Sequence, residues 1–277
     1  MLGIRAFQVP TTNDESIQFD PCFFLPHSER LLQKYSLDNS SDVISSHPRT
    51  LRDPTPTLEN ILKDEDGDLP SDPEDRLKVA KSRLEFTLDG RDDWKDEWYT
   101  HANTVHNYIN AHIGASREGP TGRLNLSDLV NQRYWWEPAR LGISWIRKQW
   151  RVVGQYYYSG LRLPKPHTVM SCIAHVCTTN TNQGLATHGL RAIVNFMVVR
   201  TLHRPFCYCQ IHPILVLSYI GHNRARIIQA VYNRQGPTLQ YSQLWAFEDE
   251  DTAPVEMFVR YRLSQPAGLE ASTLYVR

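Results

Sequence analysis

The sequence predicts an α+β fold: a helical N-terminal half of the body, then a small antiparallel sheet (a three-strand meander) and a C-terminal helix. Three observations lead to this class. Apolar residues recur at helical spacing over much of 71–153. Three β-rich runs follow from residue 214, separated by the turn-like stretches GHNR and NRQGP. A last helical run begins after the acidic cluster at 248–251, where carboxylates complement a helix N-terminus.

The domain organisation is read from composition. Residues 1–70 are expected to form a flexible acidic segment rich in Pro and Ser, because they show little hydrophobic periodicity. Residues 71–277 are expected to form a single globular α+β domain. The chain has 277 residues and a hydrophobic content of 41%, which is enough to build a buried core.

The first two helices of the body are predicted from caps and spacing. Ser71 or Asp72 can cap the first, with Pro73 in its first turn and Gly90 just past its end. The second begins at about Asp93 and ends at Gly114. Its apolar face repeats every three or four residues: Trp94, Trp98, Ala102, Val105, Ile109 and Ile113. A Gly-rich loop then leads to a short third helix around Leu126–Gln132.

The spacing also predicts a helix over Pro138–Val153. Its apolar arc comprises Leu141, Trp145, Ile146, Val152 and Val153. Its opposite side would carry an arginine stripe, which consists of Arg140, Ser144, Arg147 and Arg151.

The C-terminal part reads more clearly than the segment before it. In 167–210, the runs VMSCIAHVC and LRAIVNFMVVRTL fit a strand or a buried helix equally well. The predicted meander then consists of Ile214–Ile220, Arg226–Tyr232 and Thr238–Phe247. The predicted final helix is Ala253–Ser264.

Charge is distributed very unevenly along a chain whose net charge is zero. Residues 101–247, the basic block, carry fifteen Lys and Arg against three acids, a net charge of +12. Residues 1–100 sum to −9 and residues 248–277 to −3. Such asymmetry indicates an anionic partner, or docking of the acidic and basic parts on each other.

The first functional hypothesis is a basic face that binds nucleic acid or another polyanion. Arginine suits phosphate because its planar fork donates two parallel hydrogen bonds, and nearby aromatic rings can stack on bases. The candidate residues are Arg133, Arg140, Arg147, Lys148, Arg151, Arg162 and Lys165. The competing interpretation is an ordinary solvated helix face. The acidic stretches at 64–68 and 71–75 can also mask the basic face from within.

Two further functions remain open. A protein-protein adaptor or regulatory subunit would use tryptophan-rich helices, since Trp and Arg are common interface anchors. The tryptophans concerned are Trp94, Trp98, Trp135, Trp136 and Trp150. The weaker alternative is an enzyme in which Glu97 orients His101 as an acid-base pair, four residues apart on one helix.

Cysteine and histidine cluster in two places, which raises a metal site as an alternative. The candidate ligands are Cys172, His175, Cys209 and His212, because thiolate and imidazole are the ligands that zinc prefers. The spacing matches no common zinc pattern, and buried cysteines often act as small hydrophobic residues. The expectation is therefore that the chain holds no metal.

Several classes are disfavoured by what the sequence lacks. It contains no phosphate loop, dinucleotide fingerprint, nucleophile elbow or HExxH motif, so no cofactor is predicted. A two-metal nuclease needs clustered carboxylates, of which the basic block has few. Short apolar runs and five cysteines indicate no membrane span and no disulfide framework. The expected location is intracellular, cytoplasmic or nuclear.

Overall fold

The computed structural model describes a discontinuous set of residues. They are 4–12, 16–36, 93–119, 122–126, 136–138, 145–146, 150–158, 165–174, 185, 187–202, 206–221, 223–233, 235–248 and 252–268. The predicted helix over 71–90 lies outside them, as does nearly all of the predicted helix around Leu126–Gln132.

The described part of the chain contains four helices, one 3-10 helix and thirteen short or long strands. The strands are β1 (Arg5–Gln8), β2 (Phe24–Leu25), β3 (Arg117–Gly119), β4 (Gly122–Leu124), β5 (Trp136–Pro138), β6 (Trp145–Ile146), β7 (Trp150–Tyr158), β8 (Thr168–Ala174), β9 (His212–Ile220), β10 (Arg224–Asn233), β11 (Gly236–Tyr241), β12 (Trp245–Ala246) and β13 (Gln265–Pro266). The helices are α1 (Glu29–Lys34), α2 (Asp93–Gly114), α3 (Thr187–Leu202) and α4 (Val255–Arg262), and the 3-10 helix is Phe206–Tyr208.

One mixed sheet dominates the described residues. Its nine strands follow the order β1-β11-β10-β9-β8-β7-β5, while β12 pairs with β10 and β6 with β7. The β1/β11 and β8/β9 pairs are parallel, and the other pairs are antiparallel. The parallel β8/β9 pair is connected through α3, as parallel neighbours require a crossover. Two small ladders, β2/β13 and β3/β4, lie apart from this sheet.

The predicted fold class is therefore wrong. The chain is not a helical N-terminal half followed by a small meander, because strands of the main sheet occur within the half predicted as helical. The helix predicted over Pro138–Val153 is replaced by β6 and the start of β7, which pair as a hairpin. Six of the nine residues of β7 are aromatic or β-branched, and such residues favour a pleated surface that neighbouring strands cover.

Other predicted elements are present. The helix predicted to begin at about Asp93 and end at Gly114 is α2. The predicted meander is β9, β10 and β11, although it forms the middle of a larger sheet. Its turns use Asn223 (φ 50°) and Gly236 (φ 106°), residue types that adopt the left-handed region readily. The predicted C-terminal helix is α4, and the ambiguous runs become the strand β8 and the helix α3.

The central strands are buried on both faces, since every residue of β8 and β9 is buried. Helices α2 and α4 cover the first face, where β9 contributes Leu215, Leu217 and Tyr219. Helix α3 covers the second face through Ile193, Phe196 and Met197. The buried positions of α3 recur three and four residues apart, which is the spacing of one helical face.

The N-terminal region contributes to the first-face core. Val9, Phe19 and Phe24 are buried there, and β1 extends the sheet beside β11. Residues 4–12 and 16–36 of the segment expected to be flexible thus include ordered structure, whereas 37–70 lie outside the described residues. The boundary at residue 71 stays a prediction. Among the described helices, none has the length and apolar character needed to cross a membrane.

Candidate functional site

The span 133–162, which was predicted to form the basic face, contains described strands at one end of the main sheet. Strands β5, β6 and β7 lie within the span 133–162, and β7 joins them to β8. Arg151 lies on β7 opposite Ile173 of β8 in the strand register. The side chain of Arg151 lies outside the described part of the chain, as do five candidates in full: Arg133, Arg140, Arg147, Lys148 and Arg162.

The arginine stripe was predicted on a helix, and that geometry is wrong. A stripe of residues spaced by three and four requires 3.6 residues per turn, whereas Trp145–Ile146 and Trp150–Tyr158 are strands. The described parts of this span are therefore related to one another by strand pairing and not by a helix face.

Several arginines of the basic block are buried or form contacts with other residues of the chain. Arg117, Arg200 and Arg226 are only 4%, 1% and 1% exposed. The guanidinium of Arg200 stacks 3.5 Å from the ring centroid of Phe206, and that of Arg226 lies 5.5 Å from the ring of Tyr241. Arg224 pairs with Glu248 at 3.3 Å. These four cations are buried or ion-paired, so their side chains are not presented to an anionic partner at the surface.

Lys165 is the one predicted basic candidate whose side chain is described, and it is half-buried just before β8. Two residues on, His167 is fully buried and bonds the carbonyl oxygen of Ala267 through Nε2 at 3.0 Å. Burial lowers the pKa of His167 to about 3, and the positive charge of Lys165 contributes to the shift. Lys165 therefore lies beside a structural histidine, at the edge of the described core.

Two of the candidate metal ligands, Cys172 and His212, lie far apart in the sheet. Cys172 lies opposite Ser218 in the parallel β8/β9 register, six residues along β9 from His212, which corresponds to roughly 20 Å. The Nε2 atom of His212 bonds the carbonyl oxygen of Cys209 at 3.0 Å. Burial raises the pKa of the Cys172 thiol well above its usual range. No group of three or more His, Cys, Asp or Glu suited to a metal occurs among the described residues, which exclude His175.

The predicted acid-base pair lies in the first half of α2. His101 is half-buried, and Glu97 precedes it by one turn of the same helix. The side chain of Glu97 is outside the described part, so the pair stays a prediction.

A second histidine of α2, His106, lies at the centre of a buried polar cluster. Asn110 donates from Nδ2 to Nε2 of His106 at 2.7 Å, and the imidazole packs edge-on to Tyr219 with ring centroids 5.2 Å apart. Burial lowers the pKa of His106 to about 4, helped by the charge of Arg262. The imidazole is therefore neutral at pH 7. His106 was not predicted from the sequence, because it lies beside the apolar face of α2, where a histidine resembles an ordinary core residue.

A pocket of about 340 Å³ opens between α1, the end of α2 and α4. Arg117 lies at its wall and donates from Nη1 to the carbonyl oxygen of Tyr35 (2.8 Å) and from Nη2 to that of His112 (3.0 Å). The available sequence signal was a basic residue just after the helix ending at Gly114, since such residues commonly bond the last carbonyls of a helix. The pocket itself has no local sequence signature, because its walls come from three separate segments.

Comparison with other proteins provides no further identification. No family model matches the sequence, and neither the curated proteins nor the solved structures include a match to it. Function must therefore be inferred from the residues themselves.

Proposed function

We propose that the chain is a binding protein whose basic block engages nucleic acid or another polyanion, with the span 133–162 as the contact surface. The observation that carries the proposal is the net charge of +12 over 101–247. Removing the three buried arginines and the paired Arg224 still leaves eleven basic residues in this block against three acids. Such an excess attracts polyanions over distances of about a Debye length.

The topology supports the choice of 133–162 within the basic block. This span carries six basic residues and one acid, Glu137, and it includes three strands that are adjacent at one end of the sheet. Chain segments joined to paired strands cannot extend far from them, since each residue spans at most about 3.6 Å. Charges that are spread over thirty residues of sequence are therefore expected to lie near a single sheet edge.

Self-masking by the acidic segment is part of the proposal. The acids at 64–68 and 71–75 would compete with a polyanion for the same basic surface. Deleting residues 1–70 is a poor test, because residues 4–36 contribute Val9, Phe19 and Phe24 to the core. Replacing Asp64, Glu65, Asp66 and Asp68 by their amides removes the negative charge of the first acidic stretch and leaves residues 4–36 unchanged.

A protein partner is the second candidate. Trp136 and Trp150 lie in strands, so among the described tryptophans of this set the expected helical position holds for Trp94 and Trp98, on α2, while Trp135 lies outside the described residues. The observation that favours a protein interface is on α3, where the neighbouring Val198 and Val199 are 47% and 36% exposed. Large exposed apolar side chains that lie near one another are typical of protein contact sites.

The test is a mobility-shift assay with single- and double-stranded DNA and RNA at low salt, using the full chain and the variant with four amide replacements. The proposal expects binding by the full chain and tighter binding by the variant, because an internal competitor has been weakened. Absence of binding by both proteins would rule out the polyanion function. Binding of equal strength would retain the function and remove the self-masking. A dimer or larger assembly in size measurements, without nucleic-acid binding, would favour the protein partner.

A further inference from the structure

The pocket beside Arg117 contains a buried cation that is held in place by the backbone. Arg117 is 4% exposed, and its two bonds to Tyr35 and His112 fix the orientation of the guanidinium. A guanidinium has five N–H donors, so these two bonds leave others unused. Its Nε atom is buried and makes no hydrogen bond to any of the described residues, so it adds to the cost of burying the cation without being exposed to the pocket itself. Nη2, whose bond to His112 is only partly buried, is the donor nearest to solvent. A cation in this position favours a complementary anion, since burying a charge is costly unless it is compensated.

The second charge at the pocket is negative. Glu256, in the first turn of α4, lines the same pocket and acts electrostatically on Arg117. No ion pair joins the two side chains within the described structure, where Arg224–Glu248 and Arg260–Glu29 are the pairs that form. Opposite charges thus line one pocket without neutralising each other through direct contact. A purely anionic ligand would be repelled by Glu256, whereas a ligand with both charges can satisfy the two groups.

The rest of the wall is mainly apolar. Its apolar residues are Leu32 of α1 and Val255 and Val259 of α4, and Gln33, Ser36 and His112 also line it. A volume of about 340 Å³ is near the lower end of the range for small-molecule pockets, roughly 300 to 1,000 Å³. The pocket therefore suits a small ligand with a short aliphatic part.

We propose that this pocket binds a free α-amino acid with an aliphatic side chain. The carboxylate accepts hydrogen bonds from Arg117, the ammonium group faces Glu256, and the aliphatic chain packs on Leu32, Val255 and Val259. None of the lining residues lies in the span 133–162. This site and the polyanion surface are therefore independent, and each can fail without the other.

Titration calorimetry of the full chain at pH 7 tests the ligand class with three matched probes. L-leucine has both charges, 4-methylpentanoate lacks the ammonium group and 3-methylbutylamine lacks the carboxylate. The expected result is binding of L-leucine, with each analogue about tenfold weaker or worse, because each loses one charge-assisted interaction. Absence of L-leucine binding at millimolar concentration would overturn the proposal, as would equal affinity for L-leucine and either analogue.

A pair of matched variants tests the role of the acidic residue. Glu256 and Glu118 are both exposed, and only Glu256 lines the pocket. Glu256→Gln is expected to weaken L-leucine about tenfold and to remove its advantage over 4-methylpentanoate. Glu118→Gln, which makes the same change of charge, should leave both affinities unchanged. Equal effects of the two variants would contradict the assignment, and a thermal unfolding curve of each variant confirms that it is folded.

Discussion

Gln229 on β10 and Gln240 on β11 are direct cross-strand partners, and their side-chain amides bond the backbone of residues 20–23. Gln229 accepts from the N–H of Phe23 and donates to the carbonyl of Pro21, both at 2.8 Å. Gln240 accepts from the N–H of Asp20 at 2.8 Å and donates to its carbonyl oxygen. Two side chains thus provide the hydrogen bonds that an irregular segment cannot obtain from a strand, which lets the N-terminal region cover the first face of the sheet.

This arrangement predicts a large cost for Gln229→Leu. The substitution leaves the N–H of Phe23 and the carbonyl of Pro21 without their partner, at about 1–3 kcal/mol for each group that stays buried. We expect the free energy of unfolding to fall by about 2–4 kcal/mol in urea titrations. Gln243→Leu is the matched control, since Gln243 is exposed, and should change it by less than about 0.5 kcal/mol. Similar losses in the two variants would contradict the role of Gln229.

Gly268 is predicted to resist substitution because the chain passes close to Cys22. Its φ is +72°, and a Cβ atom there would lie 2.5 Å from the carbonyl oxygen of Cys22. Gly268→Ala should therefore lower the free energy of unfolding by about 1–3 kcal/mol. A Cβ atom on Gly114 would meet nothing within 4 Å, so Gly114→Ala serves as the control. An equal loss of unfolding free energy in the Gly114→Ala control would show that the close approach to Cys22 is not the cause.

Stability should fall in mild acid because three histidines are buried in neutral form. Burial lowers the pKa of His106 and His212 to about 4 and that of His167 to about 3. The unfolded chain takes up protons near pH 6.5, so the stabilisation is complete above that pH and is lost as pH falls toward 4. Each histidine adds at most about 1.4 kcal/mol per pH unit to the slope.

The variant His106→Gln tests the pH dependence by removing one titrating group. Urea unfolding at half-unit steps from pH 7 to 4.5 should show a shallower fall for the variant than for the unchanged chain. A slope that does not change on substitution would mean that His106 is not protonated preferentially in the unfolded state.

The cysteines should differ sharply in reactivity. Cys207 is exposed, whereas Cys172 is fully buried and its pKa is raised by burial. The thiolate is the reactive form, so Cys207 should be alkylated by iodoacetamide at pH 8 before Cys172. Peptide mass spectrometry at successive times measures the order. Early modification of Cys172 in the folded protein would contradict its position inside the sheet.

Local sequence patterns correctly predicted the helices and strands whose type is determined by their own residues. Helix α2 and strands β9 to β11 have regular apolar spacing and clear turn residues, so their type follows from the sequence. The arrangement of the whole sheet does not follow from local sequence, because a strand such as β7 is stabilised by pairing with strands from other parts of the chain. Trp145 and Ile146 fit a helical arc as well as they fit a strand, and their pairing with β7 decides between the two.

The candidate sites show the same division. The basic block could be recognised from composition alone, since charge needs no three-dimensional information. The burial of Arg117, Arg200 and Arg226 could not be predicted, because a buried arginine and an exposed one look the same in the sequence. The pocket at Arg117 depends on segments near residues 35, 115 and 256, whose approach is a property of the fold.

The salt dependence of oligonucleotide binding tests the central claim most directly. Fluorescence anisotropy with a labelled single strand, from 50 to 300 mM salt, gives the slope of log affinity against log salt for each variant. Replacing Arg140, Arg147 and Lys148 by Gln should reduce that slope by about 2, since each phosphate contact contributes about 0.7. Replacing the exposed Arg5, Arg30 and Lys34 instead makes the same change of net charge and should leave the slope nearly unchanged. Equal slopes for the two triple variants, or no binding by the full chain at 50 mM salt, would contradict a polyanion surface at 133–162.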